Sequence, residues 1–230
     1  MRVIGLLGGM SWESTAEYYR FINQEVRRRL GHQHSAKILM YSLDFELVEQ
    51  MQAAGEWDRA GQLLATEARR LENAGADLLL LCTNTMHKVA PAIEAAIGIP
   101  LLHIADATAE RVKARGLERV GLLGTRFTME EDFYRARLTE HGLAVSIPES
   151  QDRVIVDRVI YEELCQGSIL SESRQEYRRI ITALAAGGAQ GVILGCTEIG
   201  LLIKPEDSPI PVFDTARIHA EKAVESALAD

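Results

Sequence analysis

Thr83 and Cys196 end two apolar runs, LLLLCTNT and GVILGCTE, each at a point where a buried strand should give way to a turn. A free thiol titrates near ~8.5, and a neighbouring cation or helix N-terminus lowers that value, which makes Cys196 a plausible base. A threonine hydroxyl is a far poorer acid and base. It can donate or relay a proton, but it forms no resting alkoxide. Such a pair facing one cleft suits a reaction that takes a proton from one face of a carbon and returns it to the other. The flanking residues supply hydrogen-bond donors for a carboxylate: the Asn84 amide, the Thr85 hydroxyl, and backbone N–H groups near Met10, Asn84, Thr85 and Thr197 at turns and helix starts. Glu198 is placed either to orient these neighbours or to cap a helix. His87 reads as a supporting or helix-capping residue rather than a base.

The remaining thiols fit other roles. Cys82 precedes Thr83, and a one-residue shift along a strand reverses side-chain direction, so Cys82 should point away from it. Cys165 lies on the helical pattern VIYEELC and reads as packing. Three cysteines without a CxxC pair argue against a disulfide framework, and no histidine stands at zinc-ligand spacing, so no metal is expected.

The elements that must position these residues alternate between short apolar runs and amphipathic stretches. Arg2–Leu7 reads as a strand, followed by the turn Gly8-Gly9 and a helix opened by a Ser14/Glu17 capping box. Lys37–Leu43 is a second strand, Trp57–Asn73 a helix with Leu64, Ala68 and Leu71 on one face, and Asp77–Cys82 a buried strand. Later come a strand at Val120–Leu123, helices at Met129–Glu140 and Arg174–Ala186, and a strand at Gly191–Leu194. This alternation predicts an α/β protein with mostly parallel sheets covered on both faces.

An internal repeat organises the chain. GLLGGMSWEST from Gly5 resembles GLLGTRFTMEE from Gly121, and Thr83 in LLLLCTNT matches Cys196 in GVILGCTE. IPLLHIADATAERV from Ile99 resembles IPVFDTARIHAEKAV from Ile210, so the three offsets are 116, 113 and 111 residues. Three matches in order at nearly constant offset indicate two homologous, pseudo-symmetric α/β halves. Ligands bind beyond the carboxyl ends of parallel strands, so the matched turns should face the cleft between the halves. If the helices after Ile99 and Ile210 cross over, the first domain comprises residues 1–98 with 210–230, and the second 99–209.

Composition excludes several classes of function. Of 230 residues, 47% are apolar and 25% charged, and the net charge of −8 comes with no basic stripe, which argues against nucleic acid as a partner. No apolar stretch approaches the roughly 18 residues a membrane span needs, and the N-terminus lacks the features of a signal peptide, so a cytoplasmic protein without a membrane partner is expected. GLLGGM does not give G-x-G-x-x-G, and there is no Walker A lysine, so nucleotide binding is not indicated.

CTNTMHK at Cys82–Lys88, GCTE at Gly195–Glu198 and the GLLGGMSWEST opening resemble the signature segments of the aspartate/glutamate racemase superfamily, over essentially the whole chain. The resemblance implies a pyridoxal-independent amino-acid racemase that needs no cofactor, acts on a small amino acid and is commonly a homodimer. In that family both proton-handling groups are commonly cysteines. Here Thr83 replaces one of them, which implies unequal activity toward the two enantiomers. By the same resemblance Gln52 falls in a substrate-binding segment after the second strand. Two alternatives share the fold: an amino-acid-binding protein without racemase activity, and an enzyme like maleate isomerase or arylmalonate decarboxylase.

Overall fold

The apolar runs become the strands of two parallel four-stranded sheets in the computed structural model, which describes residues 1–229. The chain divides into two units, Met1–Ile104 joined by the stretch from His219 onward, and Ala105–Ile218. Among the described residues no helix is long and apolar enough to cross a membrane.

In the first unit β1 (Ile4–Gly8) leads through α1 (Trp12–Leu30) to β2 (Ile38–Ser42). There follow α2 (Phe45–Ala54), α3 (Trp57–Asn73) and β3 (Leu78–Leu81). A 3-10 turn at Thr85–Val89, α4 (Ala90–Glu94) and β4 (Leu101–Leu102) complete the run. The sheet order is β2-β1-β3-β4. β1 pairs with β2 from Ile4↔Ile38 to Gly8↔Ser42, and with β3 from Ile4↔Leu78 to Leu7↔Leu81. Both central strands are buried at every residue, which is why they read as unbroken apolar runs instead of alternating ones. Edge strand β2 is only partly covered. The helical face Ala60, Leu64, Ala68 and Leu71 of α3 packs into the same cluster as Leu7, Leu79 and Leu81. Truncating a side chain such as Leu64 to alanine there costs about 2–5 kcal/mol.

Two details shape the β1–α1 turn. Gly9 has φ +87°, and a Cβ there would lie 2.3 Å from the Leu43 carbonyl oxygen, so only glycine lets these backbones approach. The helix then opens at Ser11, whose side chain accepts the Ser14 N–H at 3.4 Å. The expected Ser14/Glu17 box is therefore corrected. Ser14 is the third helical residue and serves as donor to the true cap, while Glu17 pairs with Arg20.

The second unit repeats the plan. α5 (Ile104–Lys113) leads to β5 (Arg119–Gly124), α6 (Arg126–Glu130), α7 (Asp132–Glu140) and β6 (Ala144–Ser146). α8 (Ser150–Glu162), α9 (Ser171–Ala186) and β7 (Gly191–Gly195) follow. α10 (Ile199–Leu202), β8 (Val212–Asp214) and α11 (Thr215–Leu228) end the chain, the last of these returning to the first unit. Its order, β6-β5-β7-β8, is the order of the first sheet. Val156, Val159 and Ile160 of α8 and Tyr177, Ile180 and Ile181 of α9 cover one face of β7.

Two expectations shift. The single helix expected over Met129–Glu140 is two, because Glu131 is extended (φ −87°, ψ 156°) and its N–H closes α6 on the Phe127 carbonyl. The unit boundaries fall later than 98/99 and 209/210. Leu101–Leu102 pairs with β3 of the first sheet, and Val212–Asp214 with β7 of the second, so each of these strands stays with the sheet that precedes it. Asp230, placed with the first domain from sequence, lies outside the described residues.

Candidate active site

Thr83 lies just beyond the carboxyl end of β3. The ladder continues one residue past the strand, with Cys82 N–H on the Leu7 carbonyl at 2.9 Å, after which Thr83 N–H turns back to Leu81 at 2.9 Å. The chain then winds into the 3-10 turn, closed by His87 N–H on the Asn84 carbonyl at 3.1 Å. Thr83, Asn84 and Thr85 are all buried, so polar atoms cluster where the apolar strand ends. Cys82 is fully buried, its Sγ 4.0 Å from the Leu80 carbonyl, and burial pushes its thiol far above the usual range.

Two substrate-binding candidates approach this segment from within the first unit. Gln52, on α2, is buried, and its Nε2 donates to the Met86 Sδ at 3.0 Å. Met10 is buried in the apolar cluster that also holds Met51 and Met86. Thus Met10, Gln52 and the Thr83–Thr85 segment share one neighbourhood.

The same segment is backed by histidines. His87 Nδ1 lies 2.7 Å from the Thr83 carbonyl, and its Nε2 accepts the Ile104 N–H at 3.3 Å. The His103 ring stands edge-on to His87 at 4.4 Å between centroids, and the His219 ring at 6.0 Å. His219 accepts the Tyr18 hydroxyl on Nδ1 at 2.9 Å and donates from Nε2 to the Leu102 carbonyl at 2.7 Å. Burial pushes its pKa down to about 4, so the ring is neutral at physiological pH. Sequence reasoning singled out His87 alone. Tyr18, His103 and His219 carry no local motif and lie far apart along the chain.

In the second unit Cys196 takes the corresponding position, just beyond β7. Its Sγ–H donates to the Glu198 Oε2 at 2.8 Å, and the Thr197 hydroxyl donates to the same oxygen at 2.9 Å. Glu198 makes no side-chain cap to α10; its carboxylate accepts from both neighbours instead. The thiol pKa moves opposite to the lowering foreseen from the sequence. Burial first, and the adjacent carboxylate second, push it well above its ordinary value. The resting group is a thiol with a proton acceptor already in contact. Thr125, at the matching turn after β5, caps α6 by accepting the Thr128 N–H at 3.4 Å.

Among the described residues no group of three or more His, Cys, Asp or Glu side chains is arranged to hold a metal ion. Chemically, each turn offers buried protic side chains. Cys196 has a carboxylate to receive its proton; Thr83 has its backbone anchored through His87.

Residues 7–223 match the family described as Asp/Glu/Hydantoin racemase. The chain is 57% identical to a crystal structure from Yersinia pestis provisionally assigned as an Asp/Glu racemase, with a TM-score of 0.92 and all of both chains covered. It is 36% identical to an aspartate racemase homologue from Pyrococcus horikoshii, with a TM-score of 0.85, again over the whole of both. A broad specificity amino-acid racemase of Bacillus subtilis, RacX, is 23% identical over 99% of each chain.

Proposed function

This chain belongs to the Asp/Glu/Hydantoin racemase family, and we propose that it is itself a pyridoxal-independent amino-acid racemase acting on aspartate or glutamate through Thr83 and Cys196. The observation that carries the reading is the Cys196–Glu198 contact of 2.8 Å, taken with the position of Thr83 at the matching turn of a sheet with the same strand order.

In the proposed reaction Glu198 takes the thiol proton and the Cys196 thiolate removes the substrate α-proton. The carbanion is then protonated on its opposite face from the Thr83 hydroxyl. Cys196 keeps the α-proton as its thiol proton, Glu198 releases its extra proton to solvent and Thr83 takes one up from it, so every group returns to its starting state. Backbone N–H groups at Asn84, Thr85 and Thr197, with the Asn84 amide, bind the substrate carboxylate; Met10 and Gln52 line the pocket. A thiol–carboxylate pair and a lone hydroxyl differ greatly as bases, so the two enantiomers of the substrate turn over at unequal rates. Within this reading the chain works as a cytoplasmic homodimer, which sedimentation velocity and cell fractionation would check.

The test is α-proton exchange in heavy water, without added pyridoxal phosphate, on the L- and D-forms of aspartate and glutamate. Exchange of at least one enantiomer, abolished in Cys196→Ser, is the expected result. No exchange with any amino acid would overturn the reading, whereas turnover of maleate or an arylmalonate in its place would move the protein to a different reaction on the same fold.

A further inference from the structure

His87 is buried and contributes no obvious proton-transfer role, yet both of its ring nitrogens are engaged. The Ile104 backbone N–H can only donate, so Nε2 must be the bare, accepting nitrogen. The proton therefore sits on Nδ1, where it meets the Thr83 carbonyl at 2.7 Å, short for a hydrogen bond of this type. One ring thus ties the turn after β3 to the start of α5, with the His103 and His219 rings edge-on beside it.

We propose that His87 is a positioning residue for the Thr83 half of the reaction, acting as a neutral Nδ1–H donor that sets the Thr83–Asn84 peptide plane. This rests on the reading of Thr83 given above. The peptide is planar and trans, so the Asn84 N–H points opposite to the Thr83 carbonyl. Drawing that carbonyl onto His87 directs the Asn84 N–H away from the ring and simultaneously fixes the backbone from which the Thr83 hydroxyl projects. A proton donor and a carboxylate donor are aligned by a single hydrogen bond. Protonated imidazolium would keep the Thr83 bond but lose the Ile104 one, since both nitrogens would then donate.

Three variants separate positioning from mere packing. In His87→Asn the side-chain Nδ2–H superposes on the lost Nδ1–H and keeps the bond to Thr83. His87→Gln reaches only the Nε2 position, and His87→Ala keeps neither. After wild-type exchange has been established, kcat, KM and Tm are measured for each. We expect kcat to fall about 10- to 100-fold with a raised KM in the Gln and Ala variants, as for a misplaced reacting group, and to be largely rescued in Asn. Equal losses in all three, tracking Tm, would assign His87 a structural role and overturn the proposal, as would wild-type kcat in all three. A second measurement does not depend on turnover. Long-range 1H–15N spectra of the labelled protein should show Nδ1 protonated and Nε2 bare, and His87→Gln should move the Thr83 carbonyl and Asn84 amide resonances. The opposite tautomer, or unmoved resonances, would overturn positioning even if the protein proved to be no racemase. Absent exchange in the wild type would instead count against the racemase reading.

Discussion

The Cys196 thiol and the Glu198 carboxylate are 2.8 Å apart, with the proton directed from sulfur to oxygen. The carboxylate has two opposed effects on the thiol. Its charge, added to burial, makes a resting thiolate costly, yet it is also the nearest acceptor for the proton that must leave before sulfur can act as a base.

Glu198→Gln separates those effects. An uncharged amide no longer repels the thiolate, so alkylation of Cys196 by iodoacetamide should set in at lower pH than in the wild type. The amide also cannot take up a proton, and racemisation should fall about 10²-fold or more. Parallel measurements of kcat and of the alkylation pH profile check this. Wild-type turnover in the variant would show that Glu198 does not receive the proton.

Thr83→Cys places a thiol at each of the two matched turns. The ratio of exchange rates for the two enantiomers of the preferred substrate should move toward unity, whereas Thr83→Ala should lower racemisation by about 10²-fold. A ratio unchanged in Thr83→Cys would mean that the asymmetry arises in binding and not in proton transfer.

The buried neutral His219 makes stability depend on pH in a stated direction. Its folded pKa of about 4 is below its ordinary 6.5, so the unfolded chain takes a proton first as the solution is acidified. Stability is therefore full above about pH 6.5 and declines as pH falls from there toward 4, by about 3 kcal/mol at most. In urea unfolding at a series of pH values, His219→Gln should reduce the slope between pH 6.5 and 5. An unchanged slope would place the responsible group elsewhere.

Gly8→Ala tests the close packing of the β1–α1 turn. A Cβ at Gly8 would fall 2.4 Å from Thr15 Cγ2 and 2.6 Å from its Oγ1. Thr15 cannot turn aside easily, because that hydroxyl accepts the Gly9 N–H at 2.9 Å and donates to the Ser11 carbonyl at 2.8 Å. The substitution should cost about 1–3 kcal/mol, read as a lower urea midpoint with an unchanged slope. A midpoint matching the wild type would show that Thr15 re-forms its bonds in another rotamer.

Local pattern and the internal repeat carried much of this structure in the sequence. Trp57–Asn73 was legible in full because its apolar residues recur at helical spacing up to a turn glycine. The central strands were legible because burial on both faces leaves no polar interruption. The cap of α1 was misread because Ser11, Ser14 and Thr15 all offer capping oxygens, and only backbone geometry selects among them. The break at Glu131 has no proline or glycine to announce it. Thr83 and Cys196 stood out because the repeat aligns them. The direction of the Cys196 pKa shift did not, since it depends first on how deeply the folded chain buries the thiol and second on which way the Glu198 side chain turns after the strand has ended. The contacts among Tyr18, His87, His103 and His219 exist only once β3, β4 and the first and last long helices are assembled.

The passage of the chain out of the first unit and back gives synthesis an order. Ala105–Ile218 is continuous, so the second unit has all its residues as soon as Ile218 has left the ribosome. The first unit begins earlier and finishes later. The Tyr18 hydroxyl and the Leu102 carbonyl wait for His219, and the Arg2 N–H waits for Ala227. Domains generally fold from the N-terminus during translation; here the earlier-made half must remain incomplete while the later-made half closes. A nascent chain stalled once Ile218 has emerged should accordingly resist protease in its second unit and be cut in its first, so that truncation of α11 beyond Ile218 damages the Thr83 turn, more than a hundred residues upstream, before the Cys196 turn.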